Sequence, residues 1–419
     1  MALGGFAVLK ASVTVGFAAH SGQYERNWPQ WRGPAGNGLV LHGNPPLTWA
    51  EGKNVKWKVS IPRLGHATPI IWENKIFVLS ATPVEVGAKR LAFTTLCLNR
   101  QTGSTVWTKI ARTDTPHQEV QASNRHASGS PVTDGEVLVA SFGSFGVYCY
   151  DLDGALLWEK DLGKVNVTWG DGSSPAIVGN AVIVVQDNNQ ASFIHALDRK
   201  TGKELWKKSR DEGSSWTTPY ILERDGKPQV IVSGAKAVRS YDPRTGEVLW
   251  QCGGLGVNVI PMVVSDRDSV YAMSGQRTSP MAMAIKLGGT GDLTGTDAVL
   301  WKFTRGTPYV SSPLLYGGNL YFFQHINALL TCLDAATGKP YYTQERLEGV
   351  TSIYASPIGV NDRIYIAGRE GTTLVIEKST TLKILASNIL NDGFDASPAV
   401  VGNELFLRGR ANLYCIAEL

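Results

Sequence analysis

The chain has 419 residues, 43% of them hydrophobic and 18% charged, which excludes an intrinsically disordered chain and describes a globular, well-buried one. Its formal net charge is +4, with lysine and arginine spread rather than clustered, so the sequence carries no nucleic-acid or membrane-surface footprint. Forty-five glycines and 12 tryptophans point to many short strands joined by tight turns.

Residues 1–20 hold two apolar runs, 4–9 and 13–19, ending in small residues, and they read as a signal peptide interrupted by Lys10. They are too short and too broken to span a membrane, and no later run is long enough for a transmembrane segment. The expected location is therefore periplasmic or secreted. Residues 21–53 are rich in Trp, Pro and Gly, with Trp28, Trp31, Gly33, Pro34, Gly36, Gly38, Pro45 and Pro46. Such a stretch is extended rather than helical. Trp28, Trp31 and Arg32 either clamp it to the body as a latch or belong to a binding face, and the latch is the expectation.

From residue 54 to the end the chain repeats itself. The stretch 197–206, with Asp198, Thr201, Gly202 and Trp206, has close copies at 98–107 and 241–250, a weaker one at 333–342 and a shortened one at 150–158. Each is a strand end, a turn that needs Gly, and a second strand with a large anchor. A second ladder agrees: Pro69, Pro131, Pro175, Pro219, Pro261, Pro313, Pro357 and Pro398 each precede an apolar strand. Insertions at 82–92, 113–125 and 286–297 account for the long intervals. About four strands per repeat of roughly 40–45 residues is a propeller blade. Trp57 lies 12 residues before Pro69, as Trp301 lies 12 before Pro313, so the first strand completes the last blade. The predicted fold is an all-β, eight-bladed β-propeller of four-stranded blades, closed by its N-terminal strand. That closure removes an open edge.

The turn with Asp or Asn, Thr-Gly and Trp, together with the Ser/Thr-Pro strand start, resembles the pyrroloquinoline-quinone-type (PQQ-like) propeller repeat. The resemblance covers about residue 27 to the end. That repeat occurs in quinoprotein alcohol dehydrogenases and in the propeller lipoprotein of the bacterial outer-membrane barrel-assembly machinery. The opening around Trp28-Pro29-Gln30-Trp31-Arg32-Gly33-Pro34 is similar to bacterial PQQ-binding-like propeller proteins. The dehydrogenase resemblance implies PQQ with Ca²⁺, but no residue matches those ligands one by one, so the cofactor stays unassigned and no catalytic residue is named. The alcohol-oxidising members place a disulfide of neighbouring cysteines over the quinone. Here Cys97, Cys149, Cys252, Cys332 and Cys415 are never adjacent, and four of them share one strand position, so they read as buried core thiols. The chain departs from the barrel-assembly lipoprotein because no Cys near the leader takes a lipid; the first is Cys97.

Strand starts in a propeller converge on the axis, so the residues three before each proline should ring one mouth of the channel. These are His66, Ser128, Gly172, Trp216, Asn258, Val310, Tyr354 and Asp395. The candidate ligand-binding set takes His66, Trp216, Asn258, Tyr354 and Asp395 from this ring and adds Arg125, His126, Trp169, Asp171 and Tyr309 beside it. The mixture suits a planar or anionic ligand, stacked on Trp169 or Trp216 with an arginine fork at carboxylates. His66 and His126 have no short-range spacing that supports a metal, and none is assigned. The expected function is an exported, monomeric scaffold that binds a protein partner or a small-molecule ligand. The alternative is a PQQ-dependent oxidoreductase acting on alcohols or sugars.

Overall fold

A computed structural model describes residues 21–62 and 65–419. The signal-peptide reading of residues 1–20 falls outside the described residues. Eight sheets stand around one axis, and the innermost strands of successive blades lie side by side. These innermost strands are Ile70–Trp72, Val132–Thr133, Ala176–Val178, Tyr220–Arg224, Val264–Ser265, Leu314–Tyr316, Ile358–Val360 and Ala399–Val401, and they define blades 1 to 8. Strand Val55–Ser60 pairs antiparallel with Asn412–Ile416 as the outermost strand of blade 8, with Trp57 opposite Cys415. This is the closure that the Trp57 spacing predicts.

The repeated turn is the joint between blades. Asp198 folds its own turn, its Oδ1 accepting from the Lys200 and Thr201 amides and the Thr201 hydroxyl. Gly202 has φ 68°, a backbone conformation that favours glycine. A Cβ there would meet Cε3 of Trp158, from the preceding blade, at 2.6 Å. The Trp158 indole in turn donates to the Arg199 carbonyl at 2.8 Å. The same handshake joins Trp57 to Arg100 and Gly103, Trp107 to Leu152 and Gly154, Trp206 to Pro243 and Gly246, and Trp301 to Ala335 and Gly338. The shared cysteine position faces these anchors across the strand pair: Cys97 opposes Trp107, Cys149 opposes Trp158 and Cys415 opposes Trp57. A small side chain there leaves room for the indole. All five thiols are buried and free, and burial pushes Cys97, Cys149 and Cys332 up to about 12.

Two insertions lie at the mouth end of the axis and one at the far end. Residues 82–92 lengthen the blade 1 strands Lys75–Pro83 and Leu91–Asn99 into a hairpin whose tip exposes Val84 and Val86. Residues 113–125 fold over the mouth, held by Gln118 and Asn124 side chains on the carbonyls of Val167, Trp169, Gly170 and Asp171. Residues 286–297 instead reach sideways: Gly291–Asp292 pairs in parallel with the outer strand Val248–Cys252 of blade 4, covering that edge.

The segment before the first strand crosses the far end of the axis. Trp28, fully buried, exchanges both backbone hydrogen bonds with Ile71 of blade 1, and the Thr133 amide of blade 2 donates to the Pro29 carbonyl. Arg32 is 1% exposed and donates to the carbonyls of Ser312, Pro313 and Asn37. Without a carboxylate partner, burial lowers its pKa to about 9. Gly36 then packs on Met262 and Tyr220, and Val40 and Gly38 bond to Gly359 of blade 7.

A cup on the propeller axis

Each innermost strand begins directly after a Ser/Thr-Pro pair, except in blade 5. There the strand starts at Val264, so Val263 stands where proline stands elsewhere and Pro261 comes two residues early. A seam of hydroxyls confirms this register. The Thr68 amide donates to Ser130 Oγ at 2.9 Å, Ser130 to Ser174 at 2.9 Å, and Ser174 to Thr218 at 3.0 Å. Farther round, Met262 donates to Ser312, Ser312 to Ser356 and Ser356 to Ser397, each at 2.9 Å. The seam is interrupted at Met262, which has no hydroxyl to accept. At the junction of blades 8 and 1, Arg408 donates instead to the carbonyls of Ala67 and Leu79.

These strand starts enclose a cavity of about 310 Å³. Its floor carries Thr68, Ser130, Ser174, Ser356 and Ser397 on one side and Trp31 on the other, where the crossing segment covers Ser312 and Met262. Its wall is the ring three positions before the proline position, which Val263 fills in blade 5: His66, Ser128, Gly172, Trp216, Ile260, Val310, Tyr354 and Asp395. Its rim adds Gln121, Ser123 and Asn124 from the 113–125 insertion, with Trp169, Tyr309 and His325.

The structure thus places His66, Trp169, Trp216, Tyr309, Tyr354 and Asp395 of the sequence-derived set around one cavity. Four others do not line it. Asn258 is displaced by the two-residue register shift and Ile260 takes its place; Asn258 itself sits at φ 55°. His126 turns into the aromatic cluster of blades 1 and 2, edge-on to Phe93 at 6.3 Å and Phe145 at 5.9 Å. Asp171 points at the Gly143-Ser144 turn, where burial pushes its pKa up to about 7 against the opposing Ser144 amide. Arg125 lies behind the rim, its amide capped by Asn124 and Ser128, and it contributes charge rather than a lining surface. The expected arginine fork at the cavity is therefore not supplied by Arg125, and two arginines that were not expected, Arg369 and Arg410, engage the lining carboxylate instead. Arg369 Nε reaches Asp395 Oδ1 at 2.5 Å and Arg410 Nε reaches Oδ2 at 2.8 Å. His66 Nε2 lies 3.7 Å from the same carboxylate. Burial alone would raise the Asp395 pKa, but the Arg410 and Arg369 hydrogen bonds and the His66 charge hold it below the usual range. Burial pushes His66 down to about 4; Asp395 opposes this, while Arg408, Arg125 and Arg410 reinforce it.

Sequence reasoning weighed Trp31 for a binding face but preferred the latch, whereas Trp31 lines the floor; it missed Asn124 as the brace of the Trp169 loop and Arg369, which lies 4.0 Å above the Tyr354 ring. The Ser or Thr before seven of the eight prolines was visible, and it carries the seam.

A calcium–quinone centre does not fit these residues. Ca²⁺ needs six to eight oxygen ligands, several of them carboxylate. Among the described residues the one carboxylate lining the cup, Asp395, is taken by two guanidinium groups, and no group of three or more His, Cys, Asp or Glu is placed to hold a metal. Trp169 and Trp216 stack on each other with centroids 5.3 Å apart, leaving no slot between them for a planar ring.

A family model described as "Outer membrane protein assembly factor BamB" matches residues 92–339, more than half of the chain. The chain belongs to that family. Its eight blades and repeated turn make it a PQQ-like propeller. The outer membrane protein assembly factor BamB of Shewanella oneidensis is 24% identical over 297 residues, 67% of this chain and 65% of that protein. The match therefore spans just under two thirds of that relative's length. Among solved structures, BamB from Moraxella catarrhalis superposes with a TM-score of 0.59 at 14% identity, covering 86% of this chain and 98% of that one. Quinohemoprotein alcohol dehydrogenase from Comamonas testosteroni superposes with a TM-score of 0.66 at 10% identity, covering 96% and 82%. At these identities the two solved structures share the fold with this chain. No helix among the described residues is long and apolar enough to cross a membrane.

Proposed function

We propose that this chain is an exported, periplasmic binding scaffold that serves outer-membrane protein assembly, a reading supported by its similarity to outer membrane protein assembly factors. In this reading a protein partner docks on the mouth face, which the 82–92 hairpin and the 113–125 insertion enlarge. The axial cup takes a small ligand or part of the partner, against Trp169, Tyr309, Tyr354 and His66.

The observation that carries the reading is the state of the Asp395 carboxylate. Two arginines claim both of its oxygens, so it is not free as a general base, which must reach the proton it abstracts. What remains is a walled, aromatic and hydroxyl-lined recess suited to recognition.

The test is deletion of the gene in its own bacterium, with the amount of folded β-barrel protein in the outer membrane as readout. The scaffold reading expects a loss that is restored by the full-length chain. Undiminished barrel proteins would overturn it. In parallel, the purified protein is mixed with PQQ and Ca²⁺ and offered alcohols and aldose sugars with an artificial electron acceptor. Turnover there would establish the oxidoreductase instead.

A further inference from the structure

The cup is chemically two-sided. Its aromatic arc comes from the loops entering blades 3, 4 and 6 and from blade 6 itself: Trp169 stacks on Trp216, meets Tyr309 edge-on at 6.4 Å, and Tyr309 lies on His325 at 4.9 Å. Its hydroxyl arc runs through blades 7, 8, 1, 2 and 3 as Ser356, Ser397, Thr68, Ser130 and Ser174, all at least nine-tenths buried.

The seam decides what the hydroxyl arc offers. The oxygens of Ser130, Ser174, Ser356 and Ser397 each accept an amide hydrogen from the preceding blade at 2.9 Å. An oxygen held in this way must aim its own hydrogen elsewhere. Among the described residues no protein group accepts a hydrogen bond from these four hydroxyls. Buried O–H groups need acceptors, so the floor presents four donors to whatever fills the cup. The surroundings reinforce this polarity. Arg125, Arg369 and Arg410 gather at this side, and the one lining carboxylate, Asp395, is already engaged.

Resting on the reading that the cup is a ligand site, we propose that it binds a carboxylate carried on an aromatic group. The ring lies against Trp169 and Tyr309, and the carboxylate accepts from the hydroxyls of Ser130 and Ser397, which flank blade 1 across the cup from the aromatic arc. A volume of about 310 Å³ is at the small end for ligand pockets and matches one aromatic group better than a large cofactor. Two sources carry this chemistry: a small aryl acid, and the C-terminal aromatic residue of a partner chain.

The experiment titrates the purified full-length protein with 3-phenylpropionate and with its neutral amide, following tryptophan fluorescence. A second pair of probes is the peptide Gly-Gly-Ala-Phe with a free and with an amidated C-terminus. Hydrogen bonds to a charged group exceed those to a neutral one, so the free acid should bind roughly tenfold or more tighter than its amide. Saturation by the small acid alone identifies a small ligand, and saturation by the free peptide alone identifies a chain terminus. Tyr309→Leu, which leaves the hydroxyl seam untouched, should weaken either acid at least fivefold in a protein that still melts cooperatively. Equal affinity for acid and amide, or no binding of either acid by the folded protein at millimolar concentration, overturns the proposal. That result leaves the scaffold reading standing, since the scaffold reading falls on the barrel-protein and PQQ-turnover assays instead.

Discussion

Replacing Gly202 with alanine should destabilise the ring by about 2–5 kcal/mol, and about half of that loss should vanish when Trp158 is removed as well. Gly202 sits at φ 68°, a left-handed conformation that costs an L-residue roughly 1–2 kcal/mol. The added Cβ would also stand 2.6 Å from Cε3 of Trp158, well inside van der Waals contact, and overpacking of this kind costs about 1–3 kcal/mol. Trp158→Ala alone should cost about 3–5 kcal/mol, because the indole is 7% exposed and its N–H holds the Arg199 carbonyl. In the double variant the steric part is gone and only the backbone strain persists. Urea unfolding of the four proteins, followed by tryptophan fluorescence at constant m, gives the coupling directly. The expected coupling is about 1–3 kcal/mol. An identical Gly202→Ala penalty with and without Trp158 would refute the claim that this glycine is required by the neighbouring indole.

Three more outcomes are expected. Ser174→Ala strips the acceptor from the buried Ser130 amide and should cost about 1–3 kcal/mol in the same urea assay, whereas an unchanged midpoint would show that the seam contributes nothing. Asp171 has its pKa raised to about 7 from an unfolded value near ~4, so its contribution is fully present below pH ~4 and is lost as pH rises through about 7. Asp171→Asn should therefore raise the melting temperature at pH 8 relative to the parent and do much less at pH 4; a larger gain at the acid end would contradict the sign. Arg32→Met leaves the Ser312 and Pro313 carbonyls without their donor and should free residues 27–40 to proteolysis, with a loss of about 2–4 kcal/mol measured by melting; a segment as protected as in the parent would refute its role as the pin.

The blade joint was legible in the sequence because its chemistry is local. Asp198, Thr201, Gly202 and Trp206 lie within nine positions and recur with the same spacing, and each has a backbone or packing reason to be what it is. The ring of wall residues was legible for the same reason wherever proline marks the strand start. Pro261 misled the count because proline is compatible with the extended approach as well as with the strand's first position, and only the hydroxyl partner of Met262 fixes the register. Side-chain direction was not legible. His126, Arg125 and Asp171 sit one or two positions from lining residues, yet Phe93, Phe145 and the Gly143 turn draw two of them outward. Trp31 reaches the cup from a segment that no repeat pattern places, held there by long-range bonds such as that of Arg32 to Pro313.

The strand that completes blade 8 has a consequence for how the chain is made. Trp57 pairs with Cys415, 358 positions later, so the ring cannot shut until almost the whole polypeptide has emerged. Bringing such distant partners together carries a loop entropy of about 5 kcal/mol, taking (3/2)RT ln n. Until then strand Val55–Ser60 and the edge of blade 8 are both unpaired, and the floor segment that bridges blades 1, 2, 6 and 7 has no complete surface to span. The cup is consequently a late product of folding, formed in the same event that seals the ring. A nascent or truncated chain holding seven blades would carry seven-eighths of the walls and two sticky edges, which makes shielding during synthesis a requirement of this topology.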